Sequence, residues 1–212
     1  MGYNISELFT SFPLLKEIEH QILNAYQIIR QAYEFDKTLF VCGNGGSASD
    51  AEHMVGELMK NFLLERKHSE TFEKLVFSSY GNKGSKILDK LQPGFKAISL
   101  LSHPSFISAY SNDVDSEYIF AQQLFVLASS SDVLVVFSTS GNSKNVYRAL
   151  QIAEILGLKT ILITGANGGK CAQIANCSIK VPVNETFRIQ EYHLPIYHSL
   201  CAMLEEHFYG VK

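Results

Sequence analysis

Apolar residues along this chain fall into two periods that take turns. Unbroken apolar, β-branched runs at about 38–42, 96–101, 133–138, 160–164 and 177–181 predict strands buried on both faces. Elsewhere apolar residues recur every three or four positions, which predicts helices near 46–64, 114–130, 143–156 and 168–175 and a long last helix over 188–208. An N-terminal helix over roughly 12–35 carries Leu15, Ile18, Ile22, Leu23, Tyr26 and Ile29 as a stripe wide enough to pack on a partner. This alternation implies an α/β fold, a doubly wound five-stranded parallel sheet with long N- and C-terminal helices. With no internal repeat or low-complexity tract, residues 1–212 read as a single domain, of which 1–36 form an N-terminal helical segment.

Ligands of such sheets bind beyond the carboxyl ends of the strands, and two of those ends carry chemistry. The run 38–42 delivers Gly43-Asn44-Gly45-Gly46-Ser47 into a helix, a turn whose backbone N–H groups suit an anion, usually phosphate. Gly43, Gly45 and Ala48 also satisfy the weak dinucleotide pattern G-x-G-x-x-G/A. That reading needs an acidic residue closing a second strand about 20 residues on, whereas Glu65 to Thr71 is polar and the next apolar run begins only at Lys96. No nucleotide cofactor is therefore expected. The run 133–138 delivers Ser138-Thr139-Ser140-Gly141-Asn142-Ser143 into the helix 143–156, where hydroxyls, amides and the helix N-terminus together suit phosphate. Taken alone, this second loop also fits a helix N-cap with a polar turn.

The helices after these loops add candidate metal ligands. His53 and Glu57 are four apart and share a helix face, a spacing suited to two ligands on one divalent ion. In the last helix Gln190 and His198 are eight apart, about 80° around the axis and close enough to reach one site from successive turns.

Composition narrows the partners. A net charge of −3 without a long basic run argues against nucleic acid. No apolar run approaches the length of a membrane span, and no signal sequence is evident. Cys42, Cys171, Cys177 and Cys201 lack C-x-x-C spacing and read as free thiols of a cytoplasmic protein.

Three ordered strings, Cys-Gly-Asn-Gly-Gly-Ser at 42–47, Ser-Thr-Ser-Gly-Asn-Ser at 138–143 and Arg-Ile-Gln-Glu-Tyr-His at 188–193, carry a resemblance. The chain resembles the sugar isomerase (SIS) domain family, and within it the phosphoheptose isomerases, from about Leu14 to the last helix. The resemblance implies a flavodoxin-like SIS sheet and an aldose–ketose isomerase. Its substrates would be sedoheptulose 7-phosphate and glycero-manno-heptose 7-phosphate, interconverted through a metal-stabilised enediolate in heptose or lipopolysaccharide biosynthesis. It implies one divalent metal, zinc, on His53, Glu57, Gln190 and His198. Glu57 would be the base that moves the proton and His198 the complementary acid. Substrate contacts would come from Asn44, Gly45, Gly46, Ser47, Glu57, Asn112, Asp113, Ser138, Thr139, Ser140, Ser143, Arg188 and Gln190. His193 matches no family ligand and reads as structural or as support for a ligand. The resemblance also implies a homotetramer with sites between subunits.

Two alternatives stand beside this reading. Some SIS proteins are non-catalytic regulators that sense phosphosugars or bind other proteins; retention of His53, Glu57 and His198 argues against that here. The stretch 65–95 is longer than in compact phosphoheptose isomerases and is expected as an inserted loop, either a solvated excursion or a lid or subunit contact. An isomerase of another phosphosugar therefore stays open.

Overall fold

A computed structural model describes residues 3–210. The first and last two residues of the expected 1–212 domain, and with them the start of the 1–36 segment, lie outside the described residues. The chain opens with helix α1 (Ser6–Ser11), a 3₁₀ segment (Pro13–Ile18) and helix α2 (Glu19–Glu34). Strand β1 (Leu39–Gly43) follows, then α3 (Gly46–Met59), α4 (Glu70–Tyr80), α5 (Ser85–Leu88) and β2 (Ala97–Ser99). The second half runs α6 (Pro104–Tyr110), α7 (Ile119–Leu127), β3 (Val133–Phe137), α8 (Lys144–Ile155), β4 (Lys159–Gly165), β5 (Cys177–Val181) and α9 (Thr186–Tyr209). All neighbouring strands pair in parallel, in the order β2-β1-β3-β4-β5.

The strand pleat sorts the apolar runs into two cores. Leu39 and Val41 of β1, Val133, Val135 and Phe137 of β3, and Ile161 and Ile163 of β4 pack beneath α2, α3 and α9. Phe40, Cys42, Leu134, Val136 and Leu162 point the other way, beneath α7 and α8. Because β1 leads outward to β2 and the chain returns to β3 on its other side, the strand order reverses between β1 and β3. Gly43 stands in register with Phe137, so the turns after them leave the sheet side by side at that crevice.

Several expected boundaries shift for local reasons. The N-terminal helix is broken in two, because Pro13 opens a 3₁₀ segment that lacks the α-helical hydrogen-bond pattern. The helix expected at 46–64 stops at Met59, where Lys60 turns extended. The helix expected at 114–130 becomes a π-turn (Ser111–Asp115), a 3₁₀ turn (Ser116–Tyr118) and α7. At 168–175 only the 3₁₀ turn Cys171–Gln173 forms, since Gly168 and Gly169 both take positive φ. The stretch 65–95, expected as a loop, contains α4, whose N-cap Ser69 accepts a hydrogen bond from the Phe72 amide.

Candidate active site

The first loop owes its shape to two glycines. Gly45 sits at φ +57°, and a side chain on Gly43 would collide with the backbone of Ser47. Ser47 is buried and its amide donates to the Asn44 carbonyl at 3.1 Å. In the second loop the hydroxyls of Ser138 and Ser143 lie 3.2 Å apart, and the Asn142 amide donates to Ser140 Oγ at 3.2 Å. The two loops are tied together: the side-chain amides of Asn44 and Asn145 exchange hydrogen bonds of 2.8 and 2.9 Å. Asn44, Ser143 and Asn145 line an open cavity of about 500 Å³ beside this clasp. On the other side of the second loop Thr139, Ser140, Asn142, Asn167, Asn184 and Thr186 line a polar cavity of about 210 Å³. No carboxylate enters that second lining, which leaves donors free for an anion.

The metal candidates come from α3 and α9, which face each other across the first core. Nε2 of His53 lies 3.2 Å from Oε1 of Glu57, one turn further along α3. Nδ1 of His53 is hydrogen-bonded at 2.8 Å to the hydroxyl of Tyr197 on α9. When Nδ1 accepts in that bond, Nε2–H faces the Glu57 carboxylate; when Nδ1 donates, Nε2 is left free to bind a cation placed between it and that carboxylate. The His198 ring stacks edge-on against His53, centroids 5.0 Å apart, and also meets Phe62 at 5.3 Å. Burial, aided by the His53 ring, lowers the His198 pKa and outweighs the Glu57 carboxylate. His198 is thus held neutral, as a ligand requires. Its Nε2 is buried without a hydrogen-bond partner among the described residues, and the residue borders a groove of about 300 Å³ lined also by Phe12, Phe62 and Leu63. An orphaned imidazole nitrogen beside a His–Glu pair fits a divalent ion, although among the described residues no group of three or more His, Cys, Asp or Glu is drawn together as a cage. Gln190 lies on the loop side of this cluster: its Nε2 stands 2.5 Å from where a Cβ on Gly46 would sit, so a side chain there would push the carboxamide aside.

The remaining expected residues are less concentrated. Asn112 and Asp113 hydrogen-bond each other at 2.8 Å on the exposed π-turn. Arg188 pairs with Glu191 at 2.9 Å on the surface. His193 is fully buried, with Nδ1 3.2 Å from Asp50 Oδ2.

Some partners carry no sequence signal. Tyr197 and Asp50, which hold His53 and His193 from the facing helix, are a core aromatic and a helix-surface acid by pattern. Lys60 takes Oε2 of Glu57 at 2.5 Å, an i,i+3 pair in which the lysine is exposed and the carboxylate mostly covered. Helix spacing from Glu57 identifies this last one; nothing in the chain marks the others.

Residues 105–205 match the SIS domain family. The chain is 38% identical over 197 residues to the phosphoheptose isomerase of Geotalea daltonii, covering 93% of this chain and 89% of that protein. It is 36% identical to that of Helicobacter pylori strain P12, covering 92% and 88%. Its fold is similar to the solved phosphoheptose isomerase structure from Francisella tularensis, with a TM-score of 0.74, 27% identity and 95% of both chains covered.

Proposed function

We propose that this chain, which belongs to the phosphoheptose isomerase family and is a phosphosugar isomerase, interconverts sedoheptulose 7-phosphate and glycero-manno-heptose 7-phosphate. The observation that carries the reading is the packing of the His198 ring of α9 against His53, itself paired with Glu57 on α3, in a fold where α3 and α8 are each entered from an N–H- or hydroxyl-rich loop at the point where strand order reverses. Aldose–ketose isomerisation moves a proton between adjacent carbons and stabilises the enediolate between them. Glu57, only 14% exposed, takes the proton from one carbon and returns it to the next. His198, kept neutral, still has an N–H to offer the substrate oxygen that gains charge. Ser138, Thr139, Ser140 and Ser143, with the N-terminus of α8, hold the phosphate. Asn44, Gly45, Gly46, Ser47, Asn112, Asp113, Arg188 and Gln190 orient the sugar. When bound by His53, Glu57, Gln190 and His198, a divalent ion supplies Lewis-acid polarisation of the carbonyl; two imidazoles and a carboxylate suit zinc, while the carboxamide of Gln190 is an unusual, weak zinc ligand that also contacts sugar hydroxyls.

We further place the enzyme in the cytoplasm, in supply of heptose for lipopolysaccharide, as a homotetramer with sites between subunits. Four free, buried cysteines fit a reducing compartment. Among the described residues no helix is long and apolar enough to cross a membrane. Phe125 and Val126 on α7 and Ile155 on α8, each more than 60% exposed, offer an apolar surface to a second copy.

The test is to incubate metal-replete protein with sedoheptulose 7-phosphate in deuterated water and follow aldose formation and deuterium uptake, with and without chelator. Glu57→Gln is expected to lower turnover by about 10²–10⁴-fold with little change in substrate binding. A wild type that exchanges no deuterium with any heptose, hexose or pentose phosphate indicates the regulator reading instead.

A further inference from the structure

Glu57 sits in the last turn of α3, where helices fray because their final carbonyls have no intrahelical donor. The usual remedy, a glycine turning left-handed after the helix, is missing: Lys60 is extended at φ −134°, ψ 174°. A side chain from beyond the helix takes its place. Nη1 of Arg66 donates to the Leu58 carbonyl at 2.7 Å, and Nη2 donates to the carbonyl of Glu57 itself at 3.1 Å. A guanidinium at this end also faces the negative pole of the helix.

Arg66 is in turn held from the other catalytic helix. Its Nε donates at 2.8 Å to Oε1 of Glu205, and both side chains are wholly buried. The Glu205 carboxylate also accepts from the amides of Phe62, Leu63 and Leu64 at 2.9, 2.6 and 2.9 Å, and the guanidinium lies against the rings of Phe95 and Tyr209. Glu205 lies seven residues, about two turns, beyond His198 on α9. One buried pair therefore joins the backbone carrying Glu57 to the helix carrying His198.

We propose that Arg66 and Glu205 are positioning residues for the isomerisation, fixing the last turn of α3 so that the Glu57 carboxylate keeps its place relative to His198. Its catalytic consequence rests on the isomerase reading; the positioning itself does not. The pair lines neither of the two cavities beside the loops; it reaches Glu57 through the backbone carbonyls of α3, and through the amides of Phe62 and Leu63 it also holds the wall of the groove beside His198. Lysine at position 66 keeps the charge but loses the fork that spans two carbonyls and a carboxylate.

The experiment compares wild type, Arg66→Lys and Glu205→Gln, all metal-replete and at a temperature where near-UV circular dichroism shows each folded. Amide hydrogen exchange over residues 55–60 is expected to quicken by about tenfold or more in both variants while residues 149–153 of α8 keep wild-type protection. With the sugar phosphate as substrate, kcat should fall on the order of 10- to 10²-fold and KM stay near wild type. Wild-type exchange over 55–60 in both variants, or unchanged kcat in variants that merely melt earlier, overturns the proposal. If Arg66→Lys does not fold, Glu205→Gln decides by the same readouts. A wild type without turnover defeats the isomerase reading alone, and the exchange measurement still decides whether the pair fixes the end of α3.

Discussion

The two faces of the sheet are built from the same strands and differ in what they bury. Beneath α7 and α8 the core is almost wholly apolar, with Phe120, Leu124, Leu134, Val136 and Leu150 packed around Cys42, whose thiol is pushed far up in pKa by burial. Its main polar intrusion, Gln123, satisfies itself on the carbonyls of Leu100 and Ile119. Beneath α2, α3 and α9 the apolar core is crossed by three polar links in order along the helices: Asp50 to His193, His53 to Tyr197, and the Arg66–Glu205 pair with its carbonyls. Buried polar groups cost stability unless fully partnered, so an apolar face is the cheaper way to close a sheet. Here the polar side-chain links between facing segments lie on the face whose helices carry His53, Glu57 and His198. They fix the azimuth and register of α3 against α9, which nondirectional apolar contacts leave looser.

The sharpest way to break this contrast is to remove one end of the deepest link. Arg66→Met leaves Glu205 buried without its cation and should destabilise the protein by about 3–5 kcal/mol in urea unfolding. Adding Glu205→Leu should restore part of that loss. A single variant within about 1 kcal/mol of wild type would mean that water reaches the pair and that the face is less dry than described.

The apolar face should respond differently. Leu150→Ala on α8 is expected to cost about 2–5 kcal/mol by opening a cavity, while turnover per folded molecule stays at the wild-type level. Activity that falls with this substitution, measured well below the melting temperature, would show that the second face also positions the site.

The smallest effect expected is on pH dependence. Burial pushes the Glu205 carboxyl up, but the amides of Phe62, Leu63 and Leu64 and the Arg66 guanidinium outweigh it and hold it below the ordinary value of 4.5. Since the folded pKa is the lower one, this contribution to stability is present above 4.5 and is lost as pH falls through the folded value. Glu205→Gln should therefore flatten the fall in unfolding free energy between pH 5 and pH 3, as read from urea titrations at each pH. An unchanged slope assigns the acid sensitivity to other carboxylates.

What was legible in the sequence tracks how local each cause is. The strands were plain because central parallel strands are buried on both faces and so become unbroken apolar runs, as Val133 to Phe137 shows. The two loops were plain because a glycine at positive φ and a row of hydroxyls are written in consecutive residues. His53 and Glu57 were paired by one helical turn. Breaks within helical patterns were not: Pro13 and the glycines at 168 and 169 override an apolar period, and α4 has only Val76 buried, too weak a stripe to stand out. Contacts between distant segments left no trace at all. Arg66 and Glu205 are 139 residues apart, and each by itself looks like a surface charge.

The stretch between α3 and β2 enters and leaves through a single neck. Asn61 donates its amide to the Gln92 side chain at 3.0 Å, Phe95 donates to the Leu58 carbonyl at 3.0 Å, and Arg66 also reaches the carbonyl of Pro93 at 3.4 Å. Residues 67–91 therefore begin and end at nearly the same point, fastened on the core side of their own stem. A segment closed off in this way is a cassette. Its length, charge and exposed side chains, Leu75, Phe77 and Tyr80 among them, are free to drift or to be exchanged for another sequence, because closing a longer or shorter loop changes the free energy only slowly with length. Evolution, or an engineer, has here a place to graft new contacts about ten residues along the chain from Glu57 without disturbing the backbone that holds it.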